Sequence, residues 1–257
     1  MDLMNDVLIK DLTPEQVASI CDHTFLRRAE EYRGPDVNAV EEREKDFYNF
    51  LEDTVNGLTP YAICVRPEDV HFAKRYLSDN KSDIKIASVV GFPDGNWYQS
   101  RQKVDEMSIA IDSGADEIDM VMKYDALKEG DYQGVCNDIH AVKNSLDKYS
   151  INKDIVLKLI LETSELSADE IRKACNIAGD CGVDFVKTST GFTSQGATSV
   201  DVAIMRDNFS GGIKISGGVN PGNIYSLLRA ASGRDDGYIE LDPMMVRIGE
   251  SSLLSRR

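Results

Sequence analysis

The fold is decided by the stretch Ile155–Glu162 (IVLKLILE), which is followed by Ser167–Cys181 and then by Phe185–Thr190 (FVKTST). The first and last of these segments are short apolar runs typical of buried strands, and each is interrupted by one lysine. The middle segment is amphipathic, begins with a capping box at Ser167 and ends before Gly182, a residue type that often terminates helices. A strand, a helix and a second strand in this order predict two parallel strands joined by a crossover helix.

The same alternation extends along the whole chain. The other predicted strands lie at Ile20–Phe25, Thr59–Val65, Ile84–Val90, Glu117–Met122, Gly212–Ser216 and Val246–Gly249. The other predicted helices lie at Pro67–Leu77, Gln99–Ser113, Asp131–Leu146, Ser199–Asn208 and Pro221–Ala231. Eight strands alternating with helices in 257 residues predict one α/β domain over residues 1–257, a single (β/α)8 TIM barrel, with a doubly wound open sheet as the alternative.

Two segments do not fit the alternation. Residues 27–57 carry dense charge, and we interpret them as a charged insertion after the first strand, with a helix in their second half. We expect Phe47, Phe50 and Leu51 to pack that helix against the body of the domain. Ser232–Asp242 is rich in Gly and Asp, which predicts a loop before the last strand.

Composition and charge exclude several classes of protein. Lys and Arg number 29 against 44 Asp and Glu, a net charge of −15, and the resulting field repels nucleic acids and anionic membranes. No apolar stretch approaches the roughly 20 residues that span a bilayer. The chain also starts without the basic and apolar regions of a signal peptide. We therefore expect a cytoplasmic protein without nucleic-acid or membrane partners.

The cysteine and histidine patterns disfavour disulfides and zinc sites. The five cysteines are scattered without a Cys-x-x-Cys pair, and the three histidines form no His-x-x-x-His pair. No metal site is predicted, and the chemistry is expected to use lysine, aspartate, glutamate or a free cysteine.

Four of the predicted strands carry a charged residue among apolar ones: Asp119, Lys158, Lys187 and Lys214. Side chains on a strand alternate between its two faces, and the outer face of a barrel packs against helices. The four charges are therefore expected to point inward and to converge in a low-dielectric interior. Because one carboxylate cannot neutralise three ammonium groups, a functional cluster is favoured over a set of stabilising salt bridges.

Crowded lysines of this kind are suited to covalent catalysis. Burial and a neighbouring cation both disfavour protonation of an amine, so one lysine can be neutral near pH 7 and attack a carbonyl to form a Schiff base. A nearby aspartate can move protons to and from the intermediates. The cluster thus predicts making or breaking of a carbon–carbon bond next to a carbonyl, without a metal or organic cofactor.

Small residues follow the last three predicted strands. They occur in Thr188–Gly191, Ser216–Gly218 and Gly249–Leu253. Glycine lets backbone N–H groups approach a phosphate closely, and the loops after the seventh and eighth strands of a barrel commonly bind one. Loops of this kind beside a lysine cluster predict a phosphorylated substrate.

Five ordered motifs resemble those of the deoxyribose-phosphate aldolases. These motifs are Asp22–Thr24, Ala87–Gly95, Gly114–Asp119, Lys187–Phe192 and Ser216–Val219. The resemblance extends from about Ser19 to Leu254. It implies a (β/α)8 class I aldolase that reversibly cleaves 2-deoxy-D-ribose 5-phosphate into D-glyceraldehyde 3-phosphate and acetaldehyde, in deoxyribonucleoside catabolism. Family habit also suggests a homodimer.

The resemblance implies roles for individual residues. Lys187 would form the Schiff base, Lys214 would be the neighbouring cation that favours a neutral Lys187, and Asp119 would donate and accept protons. The residues implied in substrate binding are Lys158, Asp22, Thr24, Thr190 and Cys64, the last with core packing as the favoured interpretation. The residues implied in phosphate binding are Gly191, Gly217, Gly218, Gly249, Ser251 and Ser252.

Two positions depart from the family pattern and keep alternatives open. Asn220 stands where many members have Arg, and Glu250 stands where a small residue is usual. A carboxylate within about 6 Å of a phosphate opposes its binding unless it points away. One alternative is therefore a Schiff-base aldolase acting on a non-phosphorylated aldehyde. Another is a non-catalytic interaction protein, which is disfavoured because a barrel without chemistry gains stability when buried charges are replaced by apolar residues.

Overall fold

Eight of the strands form a closed parallel barrel in the computed structural model, which describes residues 6–34, 38–149 and 154–254. The strands are β1 (Asp6–Leu8), β2 (Cys21–Thr24), β3 (Ala62–Val65), β4 (Lys85–Val90), β5 (Glu117–Val121), β6 (Val156–Ile160), β7 (Phe185–Lys187), β8 (Gly212–Ser216), β9 (Tyr238–Glu240) and β10 (Val246–Glu250). The barrel runs from β2 to β8 in chain order and is closed by β10, which pairs with both β8 and β2. The predicted TIM barrel is confirmed, and the open sheet is excluded.

Helices connect the barrel strands. They are α1 (Pro14–Ala18), α2 (Ala39–Asn56), α3 (Val70–Asp79), α4 (Ser100–Asp112), α5 (Tyr124–Lys128), α6 (Tyr132–Tyr149), α7 (Ala168–Asp180), α8 (Ser199–Asn208) and α9 (Ile224–Ser232). The predicted capping box starts α7, where Ser167 Oγ accepts the Glu170 N–H and the Glu170 carboxylate accepts the Ser167 N–H at 2.7 Å. The short helices α1 and α5 were not predicted, because each is too short to show a helical period.

Residues 27–57 are mostly a regular part of the barrel rather than an insertion. Helix α2 lies between β2 and β3, which are parallel neighbours and therefore need a crossover connection. Phe47 and Leu51 are buried and Phe50 is partly buried against the core. The segment looked like an insertion because charge dominates α2, while its few apolar residues are enough to pack it onto the barrel.

The segment predicted as a loop at Ser232–Asp242 contains a strand. Within it, β9 pairs antiparallel with β1, and Val7 lies opposite Ile239. Ile239 is 2% exposed, so this small ribbon covers apolar surface. The prediction was wrong because three residues between glycine and acidic residues carry too little pattern to be distinguished from a loop.

The barrel strands alternate between an apolar outer face and a charged interior. On β6, Leu157 and Leu159 are fully buried in the hydrophobic core, while Lys158 between them points inward. Because all eight strands are parallel, their carboxyl ends and the loops that follow lie at one end of the barrel. Across the described ranges, no helix combines the length and apolar character that crossing a membrane requires.

Candidate active site

Charged side chains from six barrel strands meet inside the barrel. The cations in this network are Lys158, Lys187, Lys214 and Arg247, and the carboxylates are Asp22, Glu117 and Asp119. Each of these residues is at most 3% exposed. The predicted convergence of Asp119 with the three lysines is therefore found in the structure.

Asp119 lies at the centre of the network. Its Oδ2 accepts hydrogen bonds from Lys187 Nζ at 2.9 Å and Lys214 Nζ at 2.7 Å. Its Oδ1 accepts one from Lys158 Nζ at 2.8 Å. Burial alone would raise the pKa of Asp119, but the lysines around it, Lys158 foremost, outweigh burial and hold that pKa well below its usual range. Asp119 is therefore a carboxylate anion with both oxygens occupied.

Lys214 lies between two carboxylates. Besides Asp119, its Nζ contacts Asp22 Oδ2 at 2.5 Å. Burial alone would lower the pKa of Lys214, but the charges of Asp119 and Asp22 outweigh burial and raise that pKa above its ordinary value. Lys214 therefore keeps its proton and places a fixed positive charge beside Lys187, its partner in register on β7.

Arg247 on β10, which lies in register with Lys214 on β8, completes the network. Its guanidinium donates to Asp22 Oδ1 at 2.6 Å and to Glu117 Oε1 at 2.7 Å, and it stacks over the Tyr61 ring at 3.7 Å. The other oxygen of Glu117 accepts from Lys158 Nζ at 2.5 Å.

The expectation of one carboxylate facing three ammonium groups is thus wrong, because the described network holds three carboxylates and four cations. Two of these charged residues, Glu117 and Arg247, were not predicted, although the alternation of side chains along a strand indicates that both point inward. Glu117 precedes Asp119 by two residues on β5, and Arg247 precedes Gly249 by two residues on β10.

A cavity of about 660 Å³ opens at the carboxyl ends of the strands. Of the residues predicted for the site, those that line it are Lys187, Thr24, Thr190, Gly191, Gly217, Gly218, Gly249, Ser251 and Ser252. Those that do not line it are Asp119, Lys214, Lys158, Asp22 and Cys64. Among the described residues, Lys187 is the only lysine that lines the cavity. It therefore connects the buried charged network to the cavity.

Asp22, Lys158 and Cys64, which the resemblance implies in substrate binding, do not line the cavity. All three are fully buried beneath the cavity. The charges of Asp22 and Lys158 are used in the ion pairs described above. Cys64 packs in a small hydrophobic cluster, with its Sγ 3.9 Å from Asp119 Oδ2, and burial raises the pKa of its thiol. Core packing, the favoured interpretation of Cys64, agrees with this position.

The glycine-rich loops present unused backbone donors to the cavity. Within the described part of the chain, no acceptor is found for the backbone N–H groups of Gly191, Gly217, Gly218, Ser251 and Ser252. At Gly217 the backbone has a φ of +85°, and a Cβ there would lie 3.0 Å from Gly196 Cα and 3.2 Å from Ser189 Cβ. Glycine at this position therefore keeps two loops in close contact.

Glu162 is a residue that sequence reasoning missed. It is fully buried, with a φ of 57°, and its carboxylate accepts the Thr190 N–H at 3.1 Å and the Thr190 hydroxyl at 2.5 Å. Its other oxygen accepts the Thr193 hydroxyl at 3.0 Å. Glu162 thereby holds the loop that contains Gly191 against the end of β6. The sequence signal that could have identified Glu162 is an acidic residue directly after an apolar strand.

The two departures from the expected pattern have different surroundings. Asn220 Nδ2 donates to Gly218 O at 2.9 Å, and Asn220 Oδ1 accepts the Gly222 N–H at 2.9 Å, so this side chain supports the loop itself. Glu250 lines the cavity but lies on the outer face of β10, where it contacts His23. The rim beside Glu250 is formed by α2.

The sequence of this chain is similar to those of known aldolases. Residues 17–239 match the family model described as DeoC/LacD family aldolase. The chain is 47% identical over 161 residues to the deoxyribose-phosphate aldolase of Thermococcus gammatolerans, covering 62% of this chain and 69% of that protein. It is 39% identical over 216 residues to the deoxyribose-phosphate aldolase of Mycoplasmopsis pulmonis, covering 83% and 88%.

The fold is also similar to a solved structure. The deoxyribose phosphate aldolase from Aeropyrum pernix, described as a tetramer, aligns with a TM-score of 0.72 and 22% identity over 94% of this chain and 89% of that one. At this identity the likeness concerns the fold.

Proposed function

Because this chain belongs to the DeoC/LacD family of aldolases and is therefore a lyase, we propose that it reversibly cleaves 2-deoxy-D-ribose 5-phosphate into D-glyceraldehyde 3-phosphate and acetaldehyde. The proposed nucleophile is Lys187. The observation that carries this proposal is the position of Lys187, which lines the cavity and shares Asp119 Oδ2 with the fixed cation Lys214. Family membership also favours an enzyme over a non-catalytic interaction protein.

The charge balance of the interior supports a neutral amine at Lys187. With all four basic groups protonated, the described network carries one positive charge in excess of its three carboxylates. Buried charge without a partner is unfavourable, so loss of one proton restores the balance. Lys187 is the member that meets the cavity, whereas Lys158, Lys214 and Arg247 each contact at least two carboxylates.

The proposed reaction follows from a neutral Lys187. Its lone pair attacks the C1 aldehyde of the open-chain sugar, and loss of water from the carbinolamine leaves a protonated imine. The C3 hydroxyl then gives its proton to solvent in the cavity as the C2–C3 bond breaks. The electron pair of that bond moves toward the imine to form an enamine, and the phosphorylated aldehyde leaves. Protonation of the enamine carbon and hydrolysis release acetaldehyde and restore the amine.

Asp119 and Lys214 assist the steps of the reaction that take place at Lys187 Nζ. Asp119 Oδ2 lies 2.9 Å from Lys187 Nζ, so it can accept and return the proton that moves as the carbinolamine forms and loses water. Lys214 favours the neutral form of Lys187 between turnovers. No metal or organic cofactor takes part in this proposal.

The loops that carry unused backbone donors are the proposed phosphate site. The N–H groups of Gly191, Gly217, Gly218, Ser251 and Ser252 supply donors at the cavity wall, with Gly249 allowing close approach. Thr24 and Thr190 add hydroxyl groups nearer to Lys187. The proposal also includes a homodimer acting in the cytoplasm in deoxyribonucleoside catabolism.

A second candidate is an aldolase for a non-phosphorylated aldehyde. The cavity lining includes the carboxylates Glu31, Asp46, Asp53 and Glu250, whereas its basic residues in the described part of the chain are Arg27 and the proposed nucleophile Lys187. Such an imbalance weakens the attraction of the cavity for a dianion.

The two candidates are separated by comparing kcat/KM for 2-deoxyribose 5-phosphate and for free 2-deoxyribose. A preference of about a hundredfold or more for the phosphorylated sugar, the equivalent of about 2.7 kcal/mol, supports the first candidate. Equal values support the second. Lys187→Leu is the control for both, and cleavage that persists in this variant would contradict both candidates.

A further inference from the structure

His23 and Glu250 lie opposite each other in register on the neighbouring strands β2 and β10. Asp22 and Arg247 point into the barrel, so the alternation of side chains directs His23 and Glu250 to the outer face. There, His23 Nδ1 lies 2.6 Å from Glu250 Oε1. The two side chains are 9% and 1% exposed, so this is a buried pair beneath the cavity rim.

The second oxygen of Glu250 holds the turn that follows β10. Oε2 accepts the Leu253 N–H at 2.5 Å and the Leu254 N–H at 3.4 Å. These contacts bend the chain back over the carboxylate. The N–H groups of Ser251 and Ser252, between β10 and the bonded residues, are left without an acceptor within the described ranges and lie at the cavity.

His23 is held from its other side by α2. Its ring stacks on Phe50, with a centroid distance of 4.7 Å and an angle of 20° between the rings. Phe50 in turn contacts Phe25 at 5.4 Å. The pair therefore links the turn after β10 to β2 and to the helix that forms the cavity rim.

We propose that Glu250 and His23 are positioning residues for the anionic end of the substrate. They hold the Gly249–Ser252 turn so that the free N–H groups of Ser251 and Ser252 face a substrate phosphate. This inference rests on the proposed function, because it assumes a phosphorylated substrate. It also assigns a supporting role to a carboxylate that would otherwise be expected to repel phosphate.

Three features indicate that Glu250 supports phosphate binding and does not repel the phosphate. The Glu250 side chain is turned to the outer face of the barrel and is almost fully buried. Its oxygens are occupied by one imidazole and two backbone donors, so its charge is locally compensated. A small residue at this position would leave the Leu253 and Leu254 donors without their acceptor and release the turn.

The test compares KM and kcat for 2-deoxyribose 5-phosphate and free 2-deoxyribose in Glu250→Ala and Glu250→Gln. For Glu250→Ala we expect KM for the phosphorylated sugar to rise about tenfold or more, with kcat within about twofold and KM for the free sugar unchanged. Glu250→Gln retains one accepting oxygen, so its KM should rise less. The constant for inhibition by inorganic phosphate should rise in parallel with KM.

His23 provides an independent pair of variants. His23→Asn keeps an N–H donor near the position of Nδ1, whereas His23→Ala removes it. We expect the alanine variant to reproduce Glu250→Ala and the asparagine variant to restore part of the lost affinity. These variants keep the inference testable if Glu250→Ala does not fold.

Asp53→Asn is the matched charge control, because Asp53 also lines the cavity but lies on α2 and is exposed. Loss of this charge should lower KM for the phosphorylated sugar slightly, by at most about twofold, since exposed charges are screened. A fall in KM in the Glu250 variants would show that the carboxylate repels phosphate and would overturn the inference. Equal changes for both sugars would overturn it as well, by showing a general structural role.

Failure of the inference can be separated from failure of the proposed function. Trapping of acetaldehyde on Lys187 with borohydride does not involve a phosphate, so every Glu250 and His23 variant should still be labelled. If the unaltered protein is not labelled, the proposed function fails. If it is labelled and prefers the phosphorylated sugar, but the variants keep its KM, only the positioning role fails.

Discussion

Lys187 and Lys214 lie opposite each other on β7 and β8, and their side-chain nitrogens contact the same oxygen of Asp119, at 2.9 and 2.7 Å. Two amines that share one carboxylate oxygen cannot both be fully compensated by it. Lys214 has a second carboxylate in Asp22, whereas Lys187 meets the cavity. This asymmetry fixes a positive charge on Lys214 and leaves Lys187 as the amine of the pair that can meet a substrate.

Lys214→Leu should lose at least about a hundredfold in kcat/KM. Without the Lys214 charge, the network balances with Lys187 protonated, so the nucleophile is lost at neutral pH. The measurement is a pH profile of kcat/KM together with a circular dichroism spectrum to verify folding. Lys85→Leu, which removes an exposed lysine of β4, serves as the control. Full activity in a folded Lys214→Leu protein would contradict the assigned role.

Arg247→Met and Glu117→Gln should shift the pH profile of kcat/KM in opposite directions, because they change the charge of the buried network in opposite senses. Arg247→Met removes a positive charge from the network, so the acid limb of the kcat/KM profile should move upward. Glu117→Gln removes a negative charge and should move the limb downward. The measurement is the pH profile of kcat/KM for both variants and the unaltered protein. Shifts of the same sign in both variants would argue against charge balance as the cause.

Gly249→Ala should impair catalysis through Lys214. A Cβ at this position would lie 2.9 Å from Ser216 Cβ and 3.2 Å from Lys214 Cε, closer than ordinary packing permits. We expect kcat to fall about tenfold or more and the free energy of unfolding to fall by about 1–3 kcal/mol, the usual cost of overpacking. Gly179→Ala on α7 is the matched control, since a Cβ there meets nothing within 4 Å. Equal behaviour of the two variants would contradict this packing argument.

The stability of the protein should fall in acid because of Asp22 and Asp119. Burial alone would raise the pKa of each, but neighbouring cations outweigh burial and hold both values below the ordinary range. The stabilisation is therefore complete above the unfolded pKa of about 3.9 and is lost as the pH falls below it. Urea unfolding between pH 7 and pH 3 should show a loss of about 2 kcal/mol or more. Asp235→Asn, at a loose and exposed pair with Arg229, should leave this pH dependence unchanged, and a flat profile in the unaltered protein would contradict the prediction.

Much of the fold was predictable because its pattern is local. Short apolar runs such as Ile155–Glu162, separated by amphipathic segments, located all eight barrel strands, and four of these runs carry a charge between apolar residues. The alternation of side chains along a strand brought Asp119, Lys158, Lys187 and Lys214 together. By contrast, β1 and β9 are three residues each, and their pairing depends on contact between distant parts of the chain.

The site was less predictable where a residue's role depends on its partners. Lys158 is predicted correctly as an interior charge, whereas Asp22 is expected only in substrate binding. The pairing of the strands shows that the two side chains are buried together in one ion-pair network. From the sequence alone, the charge of Glu250 is expected to oppose phosphate binding. Its orientation toward His23 follows from the pairing of β10 with β2, which joins strands more than two hundred residues apart.

The most direct test of the central claim is reductive trapping of acetaldehyde with borohydride, followed by peptide mass mapping. We predict one covalent ethyl adduct per chain on Lys187, none in Lys187→Leu, and slower labelling in Lys214→Leu. An adduct on Lys158 or Lys214 in the unaltered protein, or no adduct at all, would contradict the assignment of Lys187 as the nucleophile.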